Sequence, residues 1–301
     1  MSTNTSMLIT ALDLELLHRG KVRDVYKINE ETLLLVTTDR ISAFDVVMNE
    51  GIPNKGFVLS QISAYWFEKT SDVIPNAFIG LLNQETAAQF GLGGISDEYF
   101  HRSIIMKKAA ALPVECVVRG YLSGSAWKDY QTHSSIADIQ LEPGLLESSQ
   151  LHSPIFTPST KAEPPAHDAP MTYGEVEELV GVDIANAIKV RSLALYGFAS
   201  QNCAPKGLIL ADTKFEFGLV DGEPCLIDEV LTPDSSRFWA GNDYFAGRPQ
   251  KSFDKQPLRD YLDGLDWNKS APPPPLPADI IQTTSERYMK AHSLVTGLEL
   301  K

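Results

Sequence analysis

The chain has 301 residues and a formal charge of −13, with four Trp, ten Tyr and thirteen Phe, enough for one large domain or two modest ones sharing a cleft. The acidic balance excludes a general nucleic-acid binder, which presents a basic stripe, and no run of about 18 apolar residues offers a membrane span. Cys116, Cys203 and Cys225 lie far apart without metal-ligand spacing, and the N-terminus lacks the pattern of a secretory signal, so a soluble, reduced, cytoplasmic chain is expected.

Gly20-Lys21-Val22-Arg23 opens a predicted hairpin, in which Val22, Val25, Tyr26 and Ile28 precede a polar turn at Asn29–Glu31 and Leu33–Val36 return. Glycine lets backbone approach a phosphate, and Lys21 and Arg23 add charge, although a basic turn alone is usually just solvated. Asp39-Arg40-Ile41-Ser42-Ala43-Phe44-Asp45 follows directly after the returning strand, where loops commonly carry binding groups. An Asp–Arg pair there serves equally well as a turn cap. Lys55–Lys69 is predicted to be a helix, with Leu59, Ile62, Trp66 and Phe67 along one face.

Ser103–Met106 and Val114–Val118 are predicted strands. The second ends in Arg119, followed by Gly120, Ser123, Gly124 and Ser125. That sets a guanidinium beside backbone N–H groups and hydroxyls, which suits a phosphate monoester. Ser123–Asp168, rich in Ser, Pro, His and Thr, is predicted to be a long functional connection with one short helix near Trp127. Helices are predicted from about Thr172 and from Asp183 as N-cap, the latter ending at Ala204–Gly207. A strand over Leu208–Phe217 turns at Asp221-Gly222 and returns through Leu226–Leu231. Ala271–Pro277 is a proline-rich linker before a C-terminal helix over Ala278–Leu294, and the whole reads as α+β.

The most informative segment is Asp212-Thr213-Lys214-Phe215-Glu216-Phe217-Gly218. Strand alternation puts Asp212, Lys214 and Glu216 on one face, where three charges are costly unless they pair or bind something. Asp228 and Glu229 stand on the returning strand, and Asp234 and Arg237 follow. A two-residue loop at Asp221-Gly222 would set Glu216 opposite Ile227 and turn Asp228 away, whereas a three-residue loop would set Glu216 opposite Asp228. In the second register the two carboxylates, with Lys214 nearby, form an oxygen-rich site for Mg²⁺ carrying ATP phosphates. A cross-strand salt-bridge ladder is the plainer reading.

Together these segments resemble phosphoribosylaminoimidazole-succinocarboxamide synthase, or SAICAR synthetase, from about Gly20 to Arg237. The resemblance rests on the Pro113–Ser125 and Leu210–Gly218 blocks, the Asp39–Asp45 run, and Pro158-Ser159-Thr160-Lys161-Ala162-Glu163. It implies a small β-rich N-terminal domain, residues 1–112, over a larger α+β domain, residues 113–301, with a nucleotide cleft between them in a kinase-like or ATP-grasp-like arrangement. It also implies a reaction in which ATP, L-aspartate and carboxyaminoimidazole ribotide (CAIR) give SAICAR, ADP and phosphate. ATP and Mg²⁺ are the cofactors so implied, with small-molecule substrates, no nucleic acid, no membrane, and a monomer or homodimer.

By that resemblance Glu216 and Asp228 are magnesium ligands, and Gly20, Lys21, Arg23 and Lys107 join them around the nucleotide, Lys21 on a flexible phosphate-covering loop. Arg119, Ser125 and Arg237 hold the ribotide phosphate, and Asp168, after His167, contacts its imidazole side. Ser42, Ala43 and Phe44 mark the aspartate pocket, with Asp39 and Lys161 also assigned to substrate, and Lys21, Lys214 and Asp212 to catalysis. Competing expectations are a small-molecule kinase on a related fold and a nucleotide-binding protein without turnover. The separate Asp39–Asp45 and Arg119–Ser125 loops provide for more than one anionic ligand and favour the ligase.

Overall fold

The computed structural model describes residues 6–161 and 168–301; the readings on Ala162, Glu163 and His167 fall outside them. Three strands, β1 (Glu15–Arg19), β2 (Arg23–Lys27) and β3 (Thr32–Thr37), start the first sheet. The predicted hairpin is β2–β3, with Val25 opposite Leu35. Every residue of β1 is exposed, so no buried alternation marks it in the sequence. Next, β4 (Arg40–Ala43) and β5 (Val46–Gly51) form a separate ribbon, whose turn holds Phe44 and Asp45 at φ 52° and 64°. The predicted helix is α1 (Lys55–Lys69), burying Val58, Leu59, Ile62, Trp66 and Phe67. After it, β6 (Phe78–Leu81), α2 (Gln84–Gln89) and β7 (Ser103–Lys107) complete a five-stranded antiparallel sheet in the order β1-β2-β3-β7-β6.

A second sheet begins at β8 (Ala110–Tyr121), which runs well past the predicted Val114–Val118. It passes through Pro113 where its register against a later strand shifts, a place in which a missing N–H leaves no ladder bond unmade. The segment expected to be mostly irregular contains α3 (Ser125–His133), the short pair β9 (Ser135–Ile136) and β10 (Ile139–Gln140), then β11 (Gln150–Phe156) and β12 (Ser159–Thr160). Four successive residues of β11 are not buried, which hides its periodicity.

A capping box between Thr172 and Glu175 starts α4 (Tyr173–Val180). Its successor α5 (Val182–Cys203) is capped by Gly181 at φ 86°, not by Asp183, which lies in the first turn where a negative charge suits the helix dipole. Then come β13 (Leu208–Val220), β14 (Glu223–Ile227) and β15 (Ser236–Ala240), followed by α6 (Gln256–Asp263) and α7 (Ala278–Thr296). One edge of β13 pairs with β8, while β15 and β14 share the other.

The architecture is α+β. One buried cluster runs from the first sheet (Leu35, Ile104) through α1 (Val58, Trp66) into the second (Val118, Phe215, Leu226) and on to Tyr288 of α7. The two sheets are thereby fixed against each other with a cleft between them. Among the described residues, no helix is long and apolar enough to cross a membrane.

Candidate active site

The cleft holds two adjoining cavities, of about 540 and 200 Å³. One end of the larger is apolar, lined by Val25, Leu33 and Leu35 of the first sheet with Met106, Ala111 and Ile227. Its other end is densely charged, with Lys21, Arg23, Glu115, Lys161, Lys214, Glu216, Asp228 and Glu229.

The strand ladder decides how the acids meet. Val220 pairs with Glu223, so the loop is two residues long and Glu216 lies opposite Ile227. The three-residue register is therefore not the one adopted. Asp228 nevertheless lines the same cavity as Glu216, because β14 stops at Ile227 and Asp228 turns to φ 63°, which breaks the alternation that would have pointed it away. Arg23 donates to Asp228 Oδ2 at 2.5 Å and lies 3.1 Å from Glu229 Oε2. Lys161 donates to Glu216 Oε2 at 2.5 Å. Lys214 bonds Glu115 and lies 3.8 Å from Glu216 Oε1.

These groups sustain one another's charge. Burial works against the Arg23 guanidinium, but Asp228, Glu229 and Glu216 outweigh it and raise its pKa. The same holds for Lys214 beside Glu115 and Glu216, and for Lys161 beside Glu216 and Asp228. Glu115 is pushed upward by burial, which the nearby Lys214 only partly offsets. Among the described residues, no three acids, histidines or cysteines form a ready-built metal cage. The cavity offers paired carboxylates beside cations, a setting for a charged ligand that brings its own oxygens.

The smaller cavity is organised by Asp212. Its Oδ2 accepts from Arg237 at 2.5 Å, Ser123 at 3.2 Å and Arg119 at 3.3 Å. Arg119 also donates to Thr157 Oγ1 at 2.9 Å and lies 3.5 Å from Ser125 Oγ. Asp212 raises the Arg237 pKa, whereas burial lowers that of Arg119. Arg237 rests directly on Gly124, where an added Cβ would fall 2.5 Å from Nη2, and Arg259 completes the wall. Arg119, Arg237, Arg259 and Lys214 line this cavity against Asp212, Asp234 and Asp254, a small excess of positive charge whose guanidiniums suit a phosphate.

Of the residues singled out in the sequence, Gly20, Lys21, Arg23, Ser42, Lys107, Lys161, Asp168, Glu216 and Asp228 line the larger cavity. Arg119, Ser125, Asp212 and Arg237 line the smaller, and Lys214 borders both. Asp212, expected to be catalytic, has its carboxylate engaged in holding the arginines. Asp39, Ala43 and Phe44 line neither cavity. The Asp39 carboxylate is buried and accepts from the Met7 and Gly56 amides and from Arg102, fixing the start of α1. Ala43 packs with Ile41 and Leu258, and Phe44 meets Trp267 edge-on. Glu115, Glu229, Asp234, Lys255 and Arg259 also line the cleft. Glu115 was legible: with Val117 and Arg119 it alternates along one strand face, as Asp212, Lys214 and Glu216 do. Lys255 and Arg259 carry no comparable pattern.

A profile of the family described as SAICAR synthetase matches residues 16–274. The phosphoribosylaminoimidazole-succinocarboxamide synthase of Pelobacter propionicus is 54% identical over 287 residues, 95% of this chain and 96% of that one. That of Geotalea uraniireducens is 53% identical over 285 residues, 95% of each. Among solved structures, the SAICAR synthase of Saccharomyces cerevisiae, complexed with SAICAR, superposes with a TM-score of 0.88 at 39% identity, covering 98% of this chain and 99% of that one.

Proposed function

This chain belongs to the SAICAR synthetase family, and from that premise we propose that it joins the amino group of L-aspartate to the carboxylate of CAIR, with ATP activating the carboxylate as an acyl phosphate. It is a carbon–nitrogen ligase of purine biosynthesis. The observation that carries the finer reading is the pair of adjoining cavities, one with an apolar end and an acid–cation end, the other walled by Arg119, Arg237 and Arg259.

A carboxylate resists amines because its leaving group would be oxide. Transfer of the γ-phosphoryl group to it releases ADP and makes phosphate the later leaving group, so the protein's task is positioning and charge neutralisation. The apolar end between Val25, Leu35 and Met106 suits a base, and the charged end suits the phosphates. Lys21, Arg23 and Lys214 offset the negative charge that builds on the transferring group. Arg119 and Arg237, held by Asp212, grip the ribotide phosphate, and Lys161 and Asp168 line the larger cavity. The carboxylates of Glu216 and Asp228 have the hard-oxygen chemistry of Mg²⁺ sites completed by substrate phosphates, and they would hold that ion. When bound, it supplies neutralisation of phosphate charge.

The test is phosphate release from ATP with CAIR, with and without L-aspartate. Sustained release that needs both substrates supports the ligase. Multiple turnovers of CAIR to a stable phosphate ester without need of an amine, or nucleotide binding without turnover, would overturn it.

A further inference from the structure

Two residues border both cavities, Lys214 and Asp234. The carboxylate of Asp234 therefore sits at the seam where, on the reading above, the activated ribotide carboxylate must meet an amine. Its position is fixed from several sides. Oδ2 lies 2.8 Å from the ammonium of Lys55, in the first turn of α1, and Oδ1 accepts from the hydroxyl of Tyr288 on α7. Its own N–H donates to Thr232 Oγ1 at 3.2 Å, in a turn closed by Ser235. Lys55 and Tyr288 are fully buried, so neither can touch a substrate, whereas Asp234 keeps an accessible edge on each cavity.

We propose that Asp234 is the anchor for the α-ammonium group of the amino-acid substrate, with Lys55 and Tyr288 acting as positioning residues that aim it. The proposal rests on the ligase reading and refines it. Each carboxylate oxygen has two lone pairs; Tyr288 engages one on Oδ1 and Lys55 pairs with Oδ2 by charge, leaving acceptor capacity toward the seam. An ammonium brings N–H donors for that capacity. A divalent ion would bring twice the charge against Lys55, which is walled in and cannot retreat. Burial alone would raise the pKa of Asp234, but Lys55, Lys255 and Tyr288 outweigh it and hold the group ionised, as a cation anchor requires. The ends of an amino acid also find partners nearby, since Ser42, Lys21 and Lys255 line the same cavity and can receive its carboxylates.

The discriminating pair of ligands is L-aspartate and succinate, which differ only by the amino group. Asp234→Asn should raise the KM for L-aspartate about 30-fold or more, the loss expected when a charged hydrogen-bond partner is removed. The KM values for ATP and CAIR should stay within about twofold, and succinate, as a competitive inhibitor, should keep its Ki. Equal weakening of succinate and aspartate would reduce Asp234 to a structural tie between α1 and α7 and overturn the proposal. Should the single variant fail to fold because Lys55 is stranded, Asp234→Asn with Lys55→Met removes both charges and reads the same ratio. A wild-type protein that releases phosphate without needing L-aspartate would instead sink the ligase reading, a separate outcome.

Discussion

Arg23 clamps Asp228 at 2.5 Å, joining the N-terminal hairpin to the end of β14 across 205 residues of chain. A cation bound at Asp228 must share that carboxylate with Arg23. Asp228→Asn should lower ADP formation by at least about 10²-fold, with Mg²⁺ titration of its residual activity shifted to higher concentration, and Glu216→Ala should abolish ADP formation. Arg23 keeps Glu229 as a partner, so the Asp228→Asn melting temperature should stay within a few degrees of the parent. Full activity in either variant would remove that acid from the phosphate end.

The Asp39–Asp45 run earns its place differently from what its sequence suggests. Arg40 donates to the carbonyls of Gly20 at 2.9 Å, Lys21 at 3.4 Å and Leu8 at 2.7 Å, and to Asp24 Oδ1 at 2.5 Å. It is a brace for the Gly20–Lys21 loop. Arg40→Met should destabilise the protein by about 3 kcal/mol, toward the low end for a broken buried pair, because Thr10 and Arg19 still face Asp24. It should also raise the KM for ATP while leaving that for CAIR unchanged. Denaturant midpoints and the two KM values check this, and a CAIR effect as large as the ATP effect would refute the loop assignment.

Much of this was legible because local rules and burial agree. The β2–β3 hairpin was legible as apolar runs around a polar turn, and α1 as a long apolar-rich segment, although β3 and α1 are buried on most sides, and the charged face of β13 stood out against its apolar neighbours. Three features resisted. Asp228 reaches the cleft through one backbone torsion that no alternation rule contains. Asp39 looked like a ligand residue, but it serves the Gly56 and Met7 amides and Arg102, a choice set by tertiary packing. Lys255 and Arg259 lie 15 and 19 residues past the end of β15, just before and on α6, and nothing local marks them as facing the cleft.

Stability should depend on pH through His292, which is 2% exposed on α7 and whose pKa burial lowers. The folded state keeps this imidazole neutral, while the unfolded chain takes up a proton as pH falls below about 6.5. The unfolded state then binds more protons, so stability drops with falling pH, by up to about 1.4 kcal/mol per pH unit from this group. His292→Gln should narrow the difference between urea midpoints at pH 7.5 and pH 5.5. His101, lowered by the same cause and by Lys301, contributes with the same sign and serves as a second site. An unchanged difference would mean that His292 accepts its proton in place.

The division of the cleft into two cavities makes its own prediction at Gly124. This residue stands at φ 60° and ψ −129°, backbone that side chains rarely adopt, and an added Cβ would fall 2.5 Å from Arg237 Nη2 and 2.9 Å from its Cζ. Gly124→Ala must therefore displace Arg237 from Asp212, at a stability cost of about 1–3 kcal/mol for the strained backbone. Arg119→Ala removes the other guanidinium without touching the backbone. Both should raise the KM for CAIR by about 10- to 100-fold, because each weakens one charge-assisted contact to the ribotide phosphate. Neither should move the KM for ATP by more than about twofold, since the proposed function places the nucleotide in the other cavity. Arg119 is itself buried against Asp212, so both variants cost stability, and the shared rise in the KM for CAIR is the readout that reports the lost phosphate contact. If both raise the KM for ATP as much as that for CAIR, the arginine-walled cavity is not a separate phosphate site.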